Sequence, residues 1–232
     1  MVSRVFVSGV AGFLGSHLAR HYRDRGAAVA GIDNMLGGNL EHVPAGTRFR
    51  AVDCVAPDDY RDLLRGTQVV FHCAAAPYEG LSIFSPTLVY QHTLQSTVAL
   101  ATAAVEAGVT RFVLCSSMAR YGNGPAPFTE DLEPAPVDPY GLAKVAAEQL
   151  VANLGDRHGM EWAIAAPLAQ LAERPAAKAR RLLGYAPRWS LEDGLRRTIA
   201  YIRSHGPKPF EYHLPIEISS ELTPAVWAER LM

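Results

Sequence analysis

The chain has 232 residues, 49% hydrophobic and 19% charged, with a formal net charge of -1 at pH 7. That length and apolar share suit one large α/β domain with a buried core and leave little for a second full domain. Near-neutrality gives no general electrostatic reason to expect nucleic acid or an anionic membrane as partner, and no stretch approaches the length of a membrane span.

In chain order, the N-terminal MVSRVFVSGVAGF is a short apolar strand running into glycines rather than a signal peptide, so a soluble, cytoplasmic protein is expected. β-rich runs at 4–9, 28–33, 48–53, 68–73, 111–117 and 161–166 read as strands, and most are continuously apolar, as strands covered on both faces must be. Helical patterns separate them. One follows the first strand and is closed by Gly26; a long one over 85–107 is closed by Gly108. A third covers 139–154, with Asp138 as N-cap and Pro139 at its first position. Further helices are predicted at 174–183 and 190–204, and the proline-bearing tail from Gly206 is expected to be extended. This alternation predicts an α/β fold, a Rossmann-like doubly wound parallel sheet flanked by helices. Cys54, Cys73 and Cys115 lack the spacing of a zinc site or disulfide framework. No metal is expected, and all three read as reduced thiols among apolar neighbours.

VSGVAGFLGSHL sets Gly9, Gly12 and Gly15 between the first strand and the first helix, where backbone amides at a helix N-terminus can face a pyrophosphate. Glycines there also serve any tight strand-to-helix turn, so the weight comes from context. Asp33 ends the second strand, placed to accept both ribose hydroxyls of an adenosine; its charge would repel a 2′-phosphate, which favours NAD over NADP. Downstream, DPYGLAK places Tyr140 and Lys144 on one helix face, roughly 6 Å apart along the axis. An ammonium beside a phenol favours the phenolate, so Lys144 is expected to lower the pKa of Tyr140. Ser116 and Ser117 sit at the carboxyl end of the fifth strand, the edge at which open α/β sheets bind ligands.

On GVAGFLG, IDN, VDC, HCAAAP, SSMARYG and PYGLAK, in that order, the chain resembles the extended short-chain dehydrogenase/reductases, specifically the NAD-dependent epimerase/dehydratase group acting on nucleotide sugars. The resemblance covers residues 1 to 167 and implies an NAD-binding domain there, with 168–232 a truncated C-terminal region of closing helices and tail. It implies that Ser117 hydrogen-bonds the reacting oxygen, that Tyr140 is the acid/base, and that Lys144 holds the nicotinamide ribose. The cofactor set it implies is Gly9, Gly12, Phe13, Leu14, Gly15, Asp33, Asn34, Asp53, Cys54, Ala74, Ala75, Ala76, Tyr140, Lys144 and Pro167. It further implies a homodimer through helices 85–107 and 138–154.

Three departures matter. Thr93 stands where many relatives carry asparagine, with His92 beside it, a structural or surface histidine more readily than a proton relay. Met118 and Ala119 replace the acidic pair of the family's 4,6-dehydratases, so elimination of water is disfavoured. The long segment that builds most of the nucleotide-sugar pocket in the family is missing after Pro167; what remains is a shallow crevice near Tyr78, Glu79 and Tyr121, each read singly as an exposed loop residue. The expected function is therefore an NAD-dependent epimerase or dehydrogenase acting on a sugar hydroxyl, most readily of a nucleotide sugar. Two alternatives stay open: a cofactor-binding protein with lost or reduced catalysis, and a subunit whose substrate site another chain completes.

Overall fold

The computed structural model describes residues 2–124, 128, 131–165, 191–206 and 214–229. Six strands, β1 (Arg4–Ser8), β2 (Ala28–Asp33), β3 (Arg48–Ala51), β4 (Val69–His72), β5 (Arg111–Cys115) and β6 (Glu161–Ala165), form one sheet in the order β3-β2-β1-β4-β5-β6. Every pairing is parallel. This is the doubly wound order, in which the chain reverses direction between β1 and β4 and leaves a crevice at the carboxyl ends of those strands.

Strand periodicity divides the apolar side chains between two layers. Val5, Val7, Val29, Val69 and Phe71 pack with Ala19 of α1 (Phe13–Arg23) on one face. Phe6, Ile32, Val70, Phe112 and Leu114 pack on the other with Leu100, Ala101 and Ala104 and with Ala147 and Val151. The continuous apolar character of the runs follows from this double coverage. Burying such side chains contributes about 1.5–3 kcal/mol each, an upper estimate relative to full exposure.

A short helix, α2 (Glu79–Ser82), goes beyond the sequence expectation. The long helix predicted over 85–107 is helical throughout but not uniformly so: α3 (Pro86–Tyr90) and α4 (Ser96–Glu106) are joined by a π turn at Gln91–Gln95. Helix α5 (Pro139–His158) starts where predicted, with the Asp138 carboxylate accepting from the Gly141 amide at 2.8 Å. It runs one turn beyond the expected end, to Gly159, whose φ of 70° supplies the left-handed cap. Strand β5 stops at Cys115, so Ser116 and Ser117 lie in the turn after it.

The chain divides into two compact units, Met1–Pro167 and Leu168–Met232. In the second, α6 (Leu191–His205) covers most of the predicted 190–204 helix. The expectation of a wholly extended tail is corrected by a helical turn, α7 (Ala225–Ala228), entered at Pro224. A proline ends helices from within, but at their start its missing amide has no partner to lose. The predicted helix at 174–183 lies outside the described residues.

Candidate active site

The loop after β1 depends on glycine. Gly9 has a φ of 71°, and a Cβ on Gly15 would lie 2.1 Å from the Gly9 carbonyl oxygen, so α1 reaches this close to the turn only without a side chain there. Gly12 is the N-cap of α1 and brings no side chain to bond the first-turn amides. No acidic residue stands in that turn either. Uncapped amides at the positive end of an eleven-residue helix suit an anion.

An open cleft of about 240 Å³ lies along this loop. Gly9, Gly12, Phe13, Leu14, Gly15, Asp33, Asn34, Asp53, Cys54, Ala74 and Ala75 line it, together with Tyr78 and His92. Ala76 does not; it is wholly buried, and its amide donates to Thr93 Oγ1 at 3.4 Å. Pro167 lies outside the described residues. The Asp33 carboxylate also organises the loop, because Oδ2 accepts from the Ala11 amide (3.0 Å) and Oδ1 from the Met35 amide (2.9 Å). That second bond holds Met35 at a φ of 66°, the left-handed region that a residue with a side chain seldom enters. Each carboxylate oxygen keeps a further lone pair for a ligand.

His92 stands with Asp53 and Asn34, its Nδ1 3.4 Å from Asp53 Oδ2 and from Asn34 Nδ2. It lies half-buried at the cleft beside Asp53.

Across the crevice, the two serines differ sharply. Ser116 is buried and its hydroxyl donates to the Glu148 carboxylate, which also pairs with Arg120 Nη2 at 3.1 Å. Ser117 caps the following turn by accepting from the Ala119 amide (3.2 Å), and its hydroxyl is near enough to the Tyr140 phenol to favour the phenolate. Tyr140 and Lys144 are both buried on α5, with Lys144 Nζ 5.8 Å from the tyrosine ring centre. The ammonium donates to the Cys115 carbonyl at 2.7 Å, which fixes it against the end of β5.

The expected effect of Lys144 on Tyr140 needs correction. Burial pushes the Tyr140 phenol up to about 12, against the opposing effect of the Ser117 hydroxyl, and burial pulls Lys144 down to about 8. Desolvation of each charged form outweighs their mutual influence at this separation. Tyr121, read as an exposed loop residue, is buried instead, stacked on Phe128 at 5.1 Å and beneath the Arg120 guanidinium.

One element went unread in the sequence. His72, at the end of β4, is fully enclosed and joined on both sides: Nδ1 to Ser8 Oγ at 2.6 Å and Nε2 to Thr97 Oγ1 at 2.9 Å. The Thr97 hydroxyl proton goes to the Thr93 carbonyl (2.6 Å), so Thr97 Oγ1 accepts from His72 Nε2–H, and Nδ1 accepts from Ser8. Ser8 Oγ in turn accepts from the Ala74 amide at 3.3 Å. A neutral imidazole of one tautomer thus ties cleft-lining Ala74 and β1 to the helical stretch that carries Thr93 and Thr97. Burial, aided by the Lys144 charge, depresses its pKa to about 3. Only the histidine and cysteine ahead of three alanines hinted at it.

Among the described residues no cluster of three or more His, Cys, Asp or Glu side chains is arranged to hold a metal ion, and no helix is long and apolar enough to cross a membrane.

A family model, the NAD dependent epimerase/dehydratase family, matches residues 5–187. The chain is 32% identical over 164 residues to a UDP-glucose 4-epimerase of Streptomyces lividans, covering 69% of this chain and 50% of that protein. A UDP-glucose 4-epimerase of Azospirillum brasilense is 30% identical over 164 residues, covering 69% of this chain and 47% of its own length. Of solved structures, the Thermus thermophilus UDP-glucose 4-epimerase in complex with NAD is similar at a TM-score of 0.65 and 32% identity, covering 69% of this chain and 53% of that one. The chain therefore spans about half the length of these relatives.

Proposed function

The chain belongs to the NAD-dependent epimerase/dehydratase family, and on that premise we propose that it is an NAD-dependent nucleotide-sugar epimerase of the 4-epimerase type, or a dehydrogenase using the same first half-reaction. Residues 1–167 are its cofactor-binding and chemical part and 168–232 a reduced substrate region. The uncapped first turn of α1 and the glycines before it would take the pyrophosphate. Asp33 would take the adenosine ribose, while Asp53, Asn34, Cys54 and His92 would border the adenine end. Bound NAD supplies the acceptor and donor of hydride at a sugar carbinol carbon.

The chain's own residues handle the proton. Tyr140 takes the carbinol proton and returns it, Ser117 holds the oxygen and the phenol in line, and Lys144 orients the nicotinamide ribose. Because burial raises Tyr140, the reaction relies on positive charge close to the phenol, and Lys144 contributes in its protonated form, below about 8. The single supporting observation is the meeting of Ser117, Tyr140 and Lys144 at the end of β5, across the crevice from the glycine loop. Met118 and Ala119 follow the serines in place of an acidic pair, which disfavours dehydration.

The proposed partners are a nucleotide sugar and a second copy of the chain meeting through 85–107 and 138–154, where Tyr90, Val98 and Leu142 are exposed. Neither nucleic acid nor membrane is proposed, and the proposed location is the cytoplasm. The test is conversion of UDP-glucose and other nucleotide sugars to their C4 epimers, followed by chromatography. Wild type is expected to convert at least one, and Tyr140→Phe to lose about a thousandfold in rate with NAD binding retained. Equal inertness of both across the panel would leave cofactor binding without turnover.

A further inference from the structure

Two thiols, half-buried Cys73 and buried Cys115, play no part in the proton and hydride chemistry. Cys73 directly follows β4 and Cys115 ends β5, and because His72 is in register with Leu114 they form the next pair across the two strands. Their Sγ atoms are 3.4 Å apart. Neighbouring strands lie roughly 4.8 Å apart, inside the roughly 4.4–6.8 Å of Cα separation that a disulfide spans. Closing the bond therefore needs a small approach of two sulfurs and no rebuilding of the sheet. Cys73 lines the cleft, which gives small solutes a route to the pair.

The surroundings favour a shared thiolate. One S–H of the pair donates to the other sulfur, which holds Cys115 below the ordinary thiol range, with the Lys144 ammonium adding to the effect, while Cys73 is pushed correspondingly up. Cys54 offers the contrast: it is enclosed, its thiol donates to the Ser96 carbonyl at 3.5 Å, and burial pushes it up to about 12.

We propose that Cys73 and Cys115 are a modification site, an oxidisable dithiol that takes small peroxides as its oxidant and closes to a reversible disulfide. The thiolate of the pair attacks one peroxide oxygen; an S–O bond forms, the O–O bond breaks, and the departing hydroxide takes up a proton to leave as water. The neighbouring sulfur then attacks the sulfenic sulfur, forming S–S and breaking S–O, and its proton leaves with the second water. Two thiols are oxidised and one peroxide is reduced. Since Cys73 and Cys115 both favour the charged form of Lys144, the disulfide withdraws support from that ammonium. This last consequence rests on the role proposed above for Lys144; the site itself does not.

Full-length protein would be treated with hydrogen peroxide, denatured, alkylated with iodoacetamide and digested with trypsin, which separates the three cysteines because Arg61, Arg65 and Arg111 lie between them. The expected product is one peptide pair joined through Cys73 and Cys115, lighter by two hydrogens, released by dithiothreitol, with Cys54 alkylated. Cys73→Ser and Cys115→Ser should each lose the cross-link, and the wild-type map stands as the test if either variant fails to fold. Recovery of Cys73 and Cys115 as separately alkylated or irreversibly oxidised residues, or a cross-link made instead through Cys54 or between chains, would overturn the proposal. No sugar is needed, so the result is independent of whether the protein is an epimerase.

Discussion

On the β1–β2 side of the crevice the working parts are backbone amides, glycines and one carboxylate whose bonds hold its own loop. On the β4–β5 side they are Tyr140, Lys144 and His72, enclosed side chains whose proton affinities burial has moved, and a thiol pair whose members shift each other through their own hydrogen bond. The first side is governed by shape and the second by charge. Binding an anion at a helix end asks for close backbone approach, whereas moving a proton asks for groups held out of water.

That contrast can be broken by three variants. Gly15→Ala adds only a methyl group, yet its Cβ would stand 2.1 Å from the Gly9 carbonyl, so α1 or the turn must shift. Destabilisation of roughly 3 kcal/mol in urea unfolding, with loss of NAD binding, is expected. A variant as stable as wild type would mean that shape is not the constraint on that side.

Lys144→Met should act in the opposite direction, raising stability by about 2 kcal/mol at pH 7 after allowance for the lost bond to the Cys115 carbonyl. The folded pKa is depressed to about 8 from 10.5, so the cost of the buried ammonium is fully present below 8 and gone above 10.5. The gain should fade in melts taken across that range. A gain independent of pH would point to packing instead.

The smallest effect concerns His72. Its folded pKa of about 3 lies below the ordinary 6.5, so the unfolded chain binds a proton that the folded chain refuses as pH falls between them. Stability present above 6.5 is lost on the way down, by about 1 kcal/mol between pH 6.5 and 5.5. His72→Asn should remove that part of the acid sensitivity, measured as the difference between the two proteins' unfolding midpoints across that interval.

Much of the first side was legible in the sequence, because a glycine turn, an apolar strand and an acidic strand end are local patterns. The sheet was legible for the same reason; apolar runs such as VFVS carry the signal of double coverage. The pairing of Ser117, Tyr140 and Lys144 could be expected from spacing and resemblance, but their proton affinities could not, since burial is a property of the assembled fold. His72 was overlooked because its partners Ser8 and Thr97 come from two other elements. The same holds for Cys73 and Cys115, 42 positions apart and brought together by strand register alone. Tyr121 was misread because aromatic residues in a glycine-bearing turn look alike whether or not a ring closes over them.

The π turn at Gln91–Gln95 has one more consequence. A π turn inserts an extra residue into helical backbone, so α3 and α4 are out of phase by roughly 100° although the chain between them never leaves the helix. That offset lets Val89 join Ala76, Ala119 and Tyr140 while Leu100 and Ala104 settle on the sheet. Loss of a single codon between 91 and 95 would bring the two stripes back into line, and one of the two neighbours would then meet the wrong face.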